Sequence, residues 1–63
     1  LKILVKIEVQ KIVHPDDFKN YNYLIDKLPP ERNNDLIGLI LVGFKLKEAY
    51  DILNETNNFK KNR

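Results

Sequence analysis

The first ten residues constrain this chain most. Over residues 2–10 the side chains alternate, with Ile3, Val5, Ile7 and Val9 on one side and Lys2, Leu4, Lys6, Glu8 and Gln10 on the other. A period of two with β-branched residues on one side predicts a half-buried strand. No other segment repeats the pattern. A lone strand leaves its backbone N–H and C=O groups unpaired, so the predicted partner is the same strand of a second copy.

Length argues the same way. With 63 residues the chain holds one domain at most, and cores of this size often need disulfides, metals or oligomerisation. There is no Cys and a single His, His14. That excludes disulfides and thiolate metal sites and gives an imidazole zinc site no second ligand. The net charge of +2, from 11 basic and 9 acidic residues, is too small to argue for nucleic acid without a favourable distribution. The longest apolar run, residues 36–44, is about half of the ~20 residues a spanning helix needs. No secretory signal is visible, so the expected location is cytoplasmic, and the Asn54-Glu55-Thr56 sequon reads as chance. The chain starts with Leu and contains no Met, which reads as a fragment or an engineered piece.

After residue 10 the parity breaks at Lys11, Ile12 and Val13. His14-Pro15-Asp16-Asp17 reads as a helix start, with Pro in the first turn and acids at the positive end of the dipole. Phe18, Tyr21, Ile25 and Leu28 follow at helical spacing, with Leu24 widening the face, and Pro29-Pro30 stops the helix. The first helix is predicted over residues 15–27. Asn33 is the candidate N-cap of a second helix over residues 33–53. Residues 36–44 also fit a buried strand, being short, apolar and flanked by glycine. The helix is preferred because the spacing continues into Ala49–Leu53 and only Gly43 interrupts it. An all-round apolar helix needs burial on all sides, here against the first helix and a symmetry mate. Gly38 and Gly43 each cost about 1 kcal/mol in a helix interior, which close helix approach would justify. The domain is taken as residues 1–54 and residues 55–63 as a polar tail.

Strand, helix, Pro-Pro turn and longer helix resemble the ribbon-helix-helix DNA-binding family. Leu28-Pro29-Pro30-Glu31-Arg32-Asn33, followed by Leu41-Val42-Gly43-Phe44-Lys45-Leu46, is most similar to ParR-type plasmid partition adaptors. The resemblance implies a mainly α intertwined homodimer whose two-stranded antiparallel ribbon enters the DNA major groove. The base-reading residues would then be Lys2, Leu4, Lys6, Glu8 and Gln10. Arg32, Asn33 and Asn34 would meet phosphate at the start of the second helix. Glu8 and Asn33 depart from the family pattern. The implied function is binding centromere-like repeats in double-stranded DNA, with higher assembly on repeated sites and an actin-like filament protein engaged through a C-terminal segment.

Two other functions remain open: a transcriptional repressor or antitoxin of the same fold, and a small protein-interaction module without DNA binding. No carboxylate pair, nucleophile–base set or Gly-rich phosphate loop appears, so no enzyme activity, cofactor or membrane partner is expected.

Overall fold

The computed structural model describes the backbone of residues 2–61 and the side chains of residues 2–55. Five α-helices follow one another: α1 (Ile3–Ile12), α2 (Pro15–Tyr21), α3 (Tyr23–Lys27), α4 (Asn33–Val42) and α5 (Leu46–Lys61), with a 3-10 turn over Pro30–Arg32 between α3 and α4. Among the described residues there is no strand.

The predicted fold is therefore corrected at its starting point. Residues 2–10 do not form a ribbon, and the chain is not a ribbon-helix-helix subunit; the stretch is helix α1. The physical reason lies in a second periodicity within the same residues. Val5, Val9 and Val13 recur every four positions, and they turn toward the core, with Val9 fully buried. Ile3 and Ile7, which alternation would place beside them, face outward instead. A helix satisfies its backbone within the segment and needs no partner strand. Lys, Leu, Glu and Gln are good helix formers, and the cost of Ile and Val is only a few tenths of a kcal/mol each. The argument for an obligate second copy falls with the strand.

The first predicted helix appears as α2 and α3, joined at Asn22. Its side-chain amide donates to the carbonyls of Phe18 (2.9 Å) and Lys19 (3.3 Å). Pro29-Pro30 ends α3 as expected, with Leu28 extended at ψ 136°. His14 caps α2 by accepting the Asp16 N–H at Nδ1, 3.1 Å away.

The second predicted helix, residues 33–53, is not continuous. It breaks at Gly43, whose φ of 132° lies in the region that favours glycine. The Phe44 N–H donates to the Leu39 carbonyl (3.1 Å) and the Gly43 N–H to that of Ile40 (3.0 Å). These two bonds form a Schellman C-cap, which closes the end of α4. Asn33 is not the N-cap either; it is the first residue of α4, after Arg32.

α5 restarts with a cap assembled from two elements. Glu48 accepts the Lys45 N–H at 2.9 Å, the return half of a capping box. Asp17, from α2, accepts the Leu46 N–H at 2.9 Å. Leu46, Ala49 and Leu53 then face inward at helical spacing. They meet Ile25 and Leu28 from the first helical pair and its exit, Leu36 and Ile40 from α4 and Val9 from α1 in one core. α4 packs against both α1 and α5, and α2 and α3 lie along α5. The radius of gyration is 11.2 Å, near the ~11 Å expected of a folded chain this long. α5 continues through the segment expected to be a tail. Beyond Glu55 only its backbone is described, and residues 62–63 lie outside the described residues.

Candidate docking site

The basic residues expected to read DNA are gathered at one end of the bundle, where they are tied to the fold. Lys2 Nζ donates to the Leu28 carbonyl and to Asn33 Oδ1 at 2.8 Å, clamping the start of α1 to the corner before α4. Lys6, one turn along, pairs with Asp26 of α3 at 2.8 Å. Arg32 pairs with Asp35 at 3.0 Å, and its side chain is 16% exposed. Asn33 is thus engaged by Lys2, and Asn34 is exposed. Leu4 and Glu8 are exposed on the far side of α1, and Gln10 is exposed one turn beyond Lys6. A helix places successive residues 100° apart, so the five strand residues that would have shared one face do not share one here.

Apolar side chains are exposed on the outer face of α1, at Ile3, Leu4 and Ile7, and again at the opposite end, at the turn between α4 and α5. Leu41 is 67% exposed, Val42 78% and Phe44 39%. They sit on either side of Gly43 at the Schellman turn, Leu41 and Val42 mostly exposed and Phe44 partly covered by the chain. Single exposed apolar residues are ordinary; three grouped on one rigid turn are the kind of feature that marks an interaction site. Beside them runs a cleft of about 570 Å³ between the α1–α2 junction and the α4–α5 turn. Ile12, Val13, Ile40 and Phe44 supply its apolar walls, and Tyr21 and Asn20 line the α2 side. Its charged groups are Asp16, Asp17 and Lys45, with the His14 imidazole beside them.

The aspartates divide by location. Asp26, Asp35 and Asp51, away from the cleft, each pair with Lys or Arg at 2.8–3.0 Å. Asp16 and Asp17, at the cleft, have no Lys or Arg partner among the described residues; the nearest basic group to Asp16 is His14 Nδ1 at 3.9 Å. At the Asp51 pair, the hydrogen bond from Lys47 and then the Asp51 charge raise the exposed Lys47 ammonium above its ordinary value. No group of three or more His, Cys or acidic residues that could hold a metal occurs among the described residues.

The reading of the sequence missed the turn at residues 41–44 because it placed these residues inside a continuous buried helix. The available signal was apolarity all round α4 with glycine directly after it, which fits a helix end with exposed side chains as well as a buried helix. No protein-family profile, curated protein or solved structure matches the chain. Among the described residues no helix is long and apolar enough to cross a membrane.

Proposed function

We propose that the chain is a small helical protein-interaction module that docks a partner protein on the turn carrying Leu41, Val42 and Phe44. The observation that carries this reading is their grouped exposure around a conformationally fixed glycine, next to a cleft. Apolar side chains held on a rigid element lose little freedom on binding and serve as anchors. The DNA-adaptor reading has weaker support: Lys2, Lys6 and Arg32 are engaged by Asn33, Asp26 and Asp35, and freeing them for phosphate would cost those pairs. The module reading fits a cytoplasmic setting, where a domain without cysteine needs no disulfide.

A photo-crosslinking residue placed at Val42, with a control at exposed Glu31, tests the reading. The expected result is one protein adduct from Val42 alone. That protein, once purified, should bind the unmodified chain and lose affinity for Leu41→Ser and Phe44→Ser. A second copy of this chain as the adduct would make the surface a homodimer interface. Sequence-specific binding to duplex DNA that Lys6→Ala abolishes and Leu41→Ser leaves intact would overturn the reading.

A further inference from the structure

We propose that the cleft receives an arginine side chain, flanked by an apolar residue, from a short segment of the partner protein. This rests on the protein-interaction reading and names the chemistry of the partner. Charge complementarity selects the occupant. The chain is net basic, yet the two aspartates lacking a Lys or Arg partner, Asp16 and Asp17, both line this cleft. Asp17 Oδ2 accepts the Leu46 N–H, so its carboxylate is held in place and its other oxygen remains available. Asp16, on the adjacent position of the same turn, is 83% exposed and adds a second acceptor.

Tyr21 and Phe44 bring aromatic rings to the same cleft. A guanidinium is flat and weakly hydrated, so it stacks on aromatic faces while its N–H groups reach carboxylates; a lysine ammonium is compact and strongly hydrated and uses such a site less well. Lys45 lies on the α5 side and repels a cation there, which directs the guanidinium to the α2 side. The exposed Leu41 and Val42 are then left for the flanking apolar residue. The volume, about 570 Å³, falls in the range of roughly 300–1,000 Å³ typical of ligand sites.

The test uses the full isotope-labelled chain and amide shifts during titration with the peptide acetyl-Gly-Leu-Arg-Leu-Gly-amide and its glutamine counterpart. Saturating shifts are expected at Gly43, Phe44 and Tyr21, with the arginine peptide about fivefold tighter, the upper end for an exposed ion pair. The advantage should shrink in Asp16→Asn, which stays folded with a melting temperature a few degrees lower through the lost charge at the start of α2, and should shrink with salt. Equal binding of the two peptides overturns the arginine inference and leaves the docking reading standing, because the apolar contact survives. No saturating shift from either peptide also overturns the inference, and the Val42 crosslink then decides separately whether docking falls with it.

Discussion

The two ends of this bundle are built from similar residue types and use them in opposite ways. At the end where α1 begins, Lys2, Lys6 and Arg32 close onto Asn33, Asp26 and Asp35. At the end where α4 stops, Asp16 and Asp17 have no Lys or Arg partner among the described residues, and Leu41, Val42 and Phe44 face solvent. A charge satisfied inside the fold positions helices; a charge or apolar group left over on a rigid turn can serve a partner. The comparison teaches that positive charge at one end is no guide to a binding surface here, since each of these cations already has an intrachain partner.

The strongest way to break the comparison is to remove the turn that holds the open end. Gly43→Pro forces φ to about −65° and deletes an N–H that closes the α4 cap, at a cost of about 3 kcal/mol or more. A domain of 63 residues holds roughly 3–9 kcal/mol at the usual 0.05–0.15 per residue, so a third or more of the stability should be lost and the melting temperature, followed by circular dichroism, should fall by about 10–25 °C. A parent-like melt would mean that the turn is not built on this glycine.

Asp17→Ala should cost about 1–2 kcal/mol, since it removes a cap from the Leu46 N–H. Lys2→Ala should cost a similar amount, about 1–2 kcal/mol, by leaving the Leu28 carbonyl without its charged donor. Urea midpoints would show both losses. If Lys2→Ala were neutral, the cationic end would be free for a ligand and the contrast between the ends would weaken.

Gly38 offers the opposite sign. A Cβ built there meets nothing within 4 Å, and alanine favours a helix interior by up to about 1 kcal/mol. Gly38→Ala should therefore raise the melting temperature. A lowered one would point to a close approach at Gly38 that the single chain does not contain.

The smallest stability effect per substitution belongs to the open end. The double change Leu41→Ser, Val42→Ser should alter unfolding free energy by no more than about 1 kcal/mol, about 0.5 for each surface substitution, while removing the proposed partner binding. A loss of several kcal/mol would show that these side chains stabilise the fold after all.

Much of the local structure was legible in residues 14–30. Pro15, the acids after it, the helical spacing of Phe18, Tyr21, Ile25 and Leu28, and the stop at Pro29 each act through neighbouring backbone, so they keep their meaning in the folded chain. The prolines set local dihedral angles whatever else packs nearby. Gly43 was visible as an interruption, but not as an end.

Residues 2–10 and 36–44 were a different case, because each fits two periodicities. Val5 and Val9 lie on one side of a strand with Ile3 and Ile7, and on one face of a helix without them. Only burial decides between these, and burial depends on what lies opposite. Here α4 lies against α1, takes Val9 into the core and leaves Ile3 outside. The same packing turns Leu36 and Ile40 inward and exposes Leu41 and Val42. The sequence by itself determined the helix start at Pro15 and the stop before Pro29, because capping and proline effects are local, but not the break at Asn22. The tertiary structure alone decided that the first segment is a helix and that the apolar turn at Gly43 is a surface. Both outcomes depend on contacts between residues far apart in the chain, and backbone propensity is too weak to set those contacts in advance.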